Sequence, residues 1–141
     1  MSITGPGQSG DFLPLKDVRT LIPTKPAKLI GLWNNFHSRA ELEGWAKPTH
    51  PLYFMKANGS FLPNGGQIQQ PGSYSGPVVF EGELGIVIGR ECCQNRLSHD
   101  MTLHPGDVIA CGTSLGAGPM NPGGTVEVRI DGIGSLINPF H

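Results

Sequence analysis

A chain of 141 residues with 10 Lys and Arg against 11 Asp and Glu carries a net charge of −1, which argues against a basic nucleic-acid or anionic-membrane surface. Hydrophobic residues make up 38%, enough for one core, and the 21 Gly and 13 Pro follow no Gly-X-Y period, so the composition describes many turns around short strands. No apolar stretch is long enough to span a bilayer, and the N-terminus lacks a charged-then-apolar signal pattern, so the expected location is the cytoplasm.

Residues 1–27 start rich in Gly, Pro and Ser and then carry Phe12, Leu13, Leu15 and Val18, the pattern of a loose lead-in with a short strand or arm. Residues 28–32 predict a strand. Asn34 or Asn35 can cap the short helix after it, and Gly44 can end that helix. Pro48 and Pro51 punctuate an extended connection into a strand over residues 52–56. Asn58-Gly59 and residues 63–66 read as turns. Residues 78–89 predict one strand, and residues 91–100 a polar connector of one or two helical turns. Pro105-Gly106 suits the centre of a type II turn leading into a strand over 108–111. After a Gly- and Pro-rich loop over 112–124, Val126, Val128 and Ile130 alternate with Glu127, Arg129 and Asp131, an inward and an outward face. Ile133, Leu136 and Ile137 are expected to finish the sheet. The predicted architecture is mainly β with one or two short helices, as a single domain over residues 28–141.

Chemistry concentrates in Glu81-Gly82-Glu83-Leu84. If the segment is a strand, its two carboxylates point the same way, about 6–7 Å apart. At that spacing they can converge on one hard divalent cation, or they can stand as two solvated side chains on a half-exposed strand. His37 and Glu41 lie four residues apart on one face of the predicted helix, either as a surface ion pair or as a working pair. Gly112-Thr113 offers a backbone N–H and a hydroxyl, which can hold an anionic oxygen or serve a local turn. Lys56, at a strand end, can balance the carboxylates or meet an anionic substrate. Cys92, Cys93 and Cys111 show no zinc spacing and read as free thiols.

Three blocks, taken in order, resemble the fumarylacetoacetate hydrolase family: the E-G-E-L run at 81–84, the M-T-L-x-P-G-D-V-I-x-x-G-T run at 101–113, and the G-I-G-x-L-x-N-P ending at 132–139. The resemblance covers roughly residues 28–90 and 97–139 and implies an α+β fold, a mixed β-sheet roll with short helices. It implies an enzyme that uses Mg²⁺, Mn²⁺ or Ca²⁺ to stabilise an enolate in a β-dicarbonyl or 2-oxo acid substrate. Members hydrolyse, decarboxylate, isomerise or cleave such small molecules, in aromatic catabolism among other settings, and the family implies a homodimer. By the same resemblance Glu81 and Glu83 are metal ligands, His37 and Glu41 the catalytic pair, and Lys56, Gly112 and Thr113 substrate-binding residues.

The family's long middle segment, with its third acidic ligand and a substrate-facing lysine, is absent, and a junction falls near residues 91–97. Asp100 and Asp107 are the acids placed to substitute for that ligand, although Asp107 also suits a turn. Two readings result: a metal-dependent enzyme of the family, and a non-catalytic shortened member.

Overall fold

Parallel pairing of residues 29–31 with residues 108–110 organises the chain. The computed structural model describes residue 14, residues 17–91 and residues 100–141. In chain order these form β1 (Leu29–Trp33), α1 (His37–Glu43), β2 (Leu52–Lys56), β3 (Val79–Phe80) and β4 (Gly85–Val87). Then come β5 (Val108–Ala110), β6 (Gly118–Pro119), β7 (Thr125–Ile130) and β8 (Gly134–Pro139). The main sheet has the order β2-β1-β5-β4, with β1 and β5 parallel and both outer strands antiparallel to their neighbours. β3 pairs with β6 and β7 with β8, both antiparallel. The expected mainly β architecture with short helices is what the chain adopts.

Apolar residues explain the centre. Ile30 faces Met55 on one side and Ile109 on the other, and it is fully buried. Leu29, Leu103, Val108 and Phe140 complete the buried apolar set among the described residues. The β7–β8 ribbon keeps the predicted alternation, with Val126, Val128 and Ile130 half-buried and Glu127 and Arg129 exposed. Ile133, Leu136 and Ile137 are exposed, because Ile133 sits in the turn of that ribbon and β8 is held largely by polar contacts. Buried Asn138 donates to the carbonyls of Pro63 and Gly66 at 2.9 and 2.7 Å, and Asn64 accepts the Ile137 N–H at 2.7 Å.

A buried carboxylate fixes the parallel pair. Asp107 is 0% exposed, and its oxygens accept the N–H groups of Lys28 at 2.8 Å and His104 at 2.9 Å and the Lys28 ammonium at 3.1 Å. The backbone around it closes the turn: the Asp107 N–H donates to His104 O, with Gly106 at φ 92° as a type II turn after Pro105 requires. Asp107 is therefore an anchor inside the fold and not a substitute metal ligand. Asp100 is likewise engaged, accepting the Tyr53 hydroxyl at 3.1 Å.

Two expectations change. Residues 78–89 are not one strand: β3 and β4 belong to different sheets, and residues 81–84 form the irregular step between them. Neither Asn34 nor Asn35 caps α1. Phe36 holds that position without a side-chain bond, because Asn34 donates to Ala46 O and Asn35 to Cys111 O. The described part of the lead-in, residues 17–27, has no strand, and Thr24 holds it to the turn before β5 by donating to Gly106 O at 2.9 Å. Phe12, Leu13, Leu15, the Cys92-Cys93 pair and all of the 91–97 junction except Glu91 lie outside the described residues.

Burial works against the charge of Asp107, but the His104 N–H and the Lys28 ammonium and N–H outweigh it and hold the carboxyl below its ordinary pKa. Its stabilisation is complete above the ordinary value of about 3.9 and is lost as the pH falls through the lower folded value. Asp107→Asn is expected to cost about 3 kcal/mol in urea unfolding at pH 7, since it leaves the Lys28 charge without its partner. The variant should also lose less stability than the wild type as the pH is lowered below about 4.

Candidate active site

The C-terminal ends of β1 and β5 lie on the same side of the sheet because the strands are parallel, so the segments leaving the two strands meet there. After β1 come Asn34, Asn35 and α1, and after β5 come Cys111, Gly112 and Thr113. β4 starts at the same end, with Gly85 opposite Ala110, so residues 81–84 arrive beside Gly112 and Thr113.

Hydrogen bonds then tie these three segments. Glu83 Oε2 accepts the Gly112 N–H at 2.8 Å, the Thr113 hydroxyl donates to Gly82 O at 3.0 Å, and the Cys111 N–H donates to Leu84 O at 2.9 Å. Across the loop, Asn35 Nδ2 donates to Cys111 O at 2.9 Å, and the Ser38 and Ser114 hydroxyls are 3.3 Å apart. Gly112 has φ 78°, and a Cβ there would run into Asn35 Oδ1, so both its backbone and its neighbour require glycine. Burial pushes the Cys111 thiol pKa up, and the Glu83 charge pushes it further.

Two cavities open on this assembly. One, of about 330 Å³, is lined by His37 and Glu41 of α1 together with Trp45 and Lys47. The other, of about 40 Å³, is lined by Glu81, Thr113, Trp33 and Arg39. They share Asn34, Phe36 and Trp45. Trp33 and Trp45 pack with ring centroids 5.0 Å apart, and the Arg39 guanidinium, paired with Glu43 at 2.9 Å, lies 5.9 Å from the Trp45 ring. The two indoles pack against each other in the cavity walls.

The sequence-derived residues thus fall into groups. His37 and Glu41 share one cavity, Glu81 and Thr113 share the next, and Glu83 and Gly112 bond to each other behind them. Because residues 81–84 are not a strand, the two carboxylates have different surroundings: Glu83 holds a backbone N–H, whereas Glu81 is exposed at its cavity. The Gly112 N–H and the Thr113 hydroxyl proton already have acceptors inside the protein. Lys56 lines neither cavity itself, but its ammonium lies 5.6 Å from the ring of Phe54, which lines the smaller one. Sequence reasoning missed Asn35, which clamps the loop, and Lys47. Two adjacent asparagines before one helix were a usable signal, because one helix needs one cap and leaves the second amide for other work. Lys47 carries no local signature.

As a donor set, Glu81 and Glu83 suit a hard divalent cation in kind, being carboxylates with an unoccupied oxygen each. Among the described residues no group of three or more His, Cys, Asp or Glu side chains gathers to hold a metal, so water would complete most of the shell.

The sequence profile of the fumarylacetoacetate (FAA) hydrolase C-terminal region matches this chain in two stretches, residues 28–96 and 93–141. Protein Rv2993c of Mycobacterium tuberculosis is 26% identical over 220 aligned positions, covering 95% of this chain and 83% of that protein. That alignment is longer than the 141 residues available, so the relative carries sequence that this chain lacks. Maleylpyruvate hydrolase of Aquipseudomonas alcaligenes is 34% identical over 85 residues, 55% of this chain but only 30% of that enzyme. The crystal structure of 5-carboxymethyl-2-hydroxymuconate delta-isomerase from Mycobacterium smegmatis superposes with a TM-score of 0.80 at 27% identity, covering 94% of this chain and 85% of that one. With the motif order, the fold and both stretches of the profile in agreement, this chain belongs to the fumarylacetoacetate hydrolase family, as a short member of it.

Proposed function

We propose that the chain is a divalent-metal-dependent enzyme acting on β-dicarbonyl or 2-oxo acid substrates by hydrolysis, decarboxylation or isomerisation. The observation that carries this reading is the 111–114 loop, which bonds to α1 on one side and to the Glu81–Glu83 segment on the other. The loop places the helix bearing His37 and Glu41 beside the acidic segment, whatever the length of chain between them. The names of the hydrolase and isomerase relatives support the reaction class. The reading includes residues 1–27 as a lead-in to one domain over 28–141, and a cytoplasmic homodimer.

Chemically, the cleft can bind a small molecule and move a proton. His37 has a ring nitrogen able to take a proton from a substrate carbon or a water, and Glu41, one turn on, can orient the ring or that water. Phe36 and Trp45 form apolar walls that limit the water around the reacting atoms. Glu81 and Glu83 would hold Mg²⁺ or Mn²⁺, whose chemistry is to polarise substrate oxygens and stabilise developing enolate charge. Gly112 and Thr113 act mainly by fixing the acidic segment, and Lys56, over the Phe54 ring that lines the smaller cavity, stands behind that wall as a substrate-side cation.

The absence of a third acidic partner among the described residues favours a second reading, a shortened member that keeps the fold without turnover. Mn²⁺ calorimetry separates the two. The first expects binding at roughly micromolar strength, about 8 kcal/mol, abolished in Glu81→Gln/Glu83→Gln; no binding beyond that control leaves the second. For the first reading, His37→Asn should lower kcat on oxaloacetate or an acylpyruvate about 10²- to 10⁴-fold with Mn²⁺ affinity unchanged. Glu83→Gln retains an oxygen to accept the Gly112 N–H, so the fold should persist. Its lost charge should speed alkylation of Cys111 at pH 8, read by peptide mass spectrometry.

A further inference from the structure

We infer that Lys47 is the residue that binds the substrate's carboxylate, a specificity-determining role resting on the oxo acid reading above. Three cavities meet at Asn34: the His37–Glu41 cleft, the Glu81–Thr113 cavity, and a third of about 210 Å³ lined by Thr49, His50 and Leu52. Two permanently cationic residues line them, Arg39 and Lys47. Arg39 is engaged, its Nε 2.9 Å from Glu43 and its guanidinium by Trp45. Lys47 forms no ion pair or hydrogen bond with any described residue, yet it stands in the wall of the cleft that holds His37 and Glu41.

Charge arithmetic gives that placement its meaning. Apart from the His37 imidazole, the cleft contains one carboxylate, Glu41, and one ammonium, Lys47, and the neighbouring cavity adds Glu81 and the Glu43-paired Arg39. Without Lys47 the His37–Glu41 cleft would offer an incoming carboxylate no cation of its own, since Arg39 lines the neighbouring cavity and is paired with Glu43, and repulsion from Glu41 would weaken binding. The Lys47 ammonium supplies three donors on a flexible stem, suited to an anionic oxygen whose position is set by the rest of the substrate. Pro48, next in sequence, restricts Lys47 to extended backbone, which fixes where the stem leaves the cleft wall.

The test is binding of pyruvate, a small 2-oxo acid, followed by quenching of tryptophan fluorescence, for which Trp45 in the cleft wall is the reporter. Wild-type protein should show saturable quenching that weakens with added salt. Lys47→Met should raise the apparent Kd about tenfold or more, and Lys47→Arg should stay within about threefold of wild type. Lys47 is exposed, so neither change disturbs packing. Equal affinity in Lys47→Met, or no saturable quenching in the wild type, overturns the inference. Turnover lost in His37→Asn bears only on the catalytic reading, whereas the Lys47→Met affinity bears only on the Lys47 assignment, so the two fail separately.

Discussion

One buried carboxylate determines where everything else in this chain lies. Asp107 joins the first residue before β1 to the turn before β5, two points 79 residues apart in sequence. A parallel pair of strands has no tight turn to set its register, so some contact outside the strands must do it. With Lys28 and His104 both bound to Asp107, Leu29 falls opposite Val108, and the rest of the register is then set. Few apolar side chains are fully buried among the described residues, so this polar knot accounts for more of the fold's definition than it would in a larger core.

The candidate site is a consequence of that register. Parallel strands that start together also end together, and their ends deliver α1 and the Gly112-Thr113 loop to one place. Continuing the antiparallel register of β4 and β5 by two residues from Gly85 and Ala110 sets Glu83 opposite Gly112, where the 2.8 Å bond is found. The acidic segment is thus aligned by backbone pairing, and its side chain locks what the pairing begins. No part of this geometry depends on the residues that relatives carry and this chain lacks.

Much of this was legible in the sequence where the signal is local. The β7–β8 alternation, the Pro105-Gly106 turn and the end of α1 at Gly44 each arise from a few adjacent residues. Non-local pairings were not legible. Asp107 looks like an ordinary turn acid, because the Lys28 N–H that makes it an anchor is far away in sequence. The break in residues 78–89 was hidden for the same reason: those residues suit a strand, but Thr113 and Gly112 claim the backbone and side chain of residues 82 and 83. At the site, helix spacing grouped His37 with Glu41, which line one cleft, whereas the strand end that carries Lys56 said nothing of the Phe54 ring it lies against.

The two glutamates differ in what their presence signifies. Glu83 has a structural role, a charge-assisted bond to a backbone N–H that holds a left-handed glycine in place. A chain that needed only the fold would still need an acceptor there. Glu81 has no comparable role in the fold. It is exposed, it lines the smaller cavity, and no described residue pairs with it. Its carboxylate shares that cavity with Arg39, whose guanidinium is already paired with Glu43, so a bound cation is the partner that would answer it. The weight of the metal reading therefore rests on Glu81, and the weight of the fold on Glu83. Lys47, across the shared wall of Asn34, Phe36 and Trp45, is the group left to balance an anionic substrate.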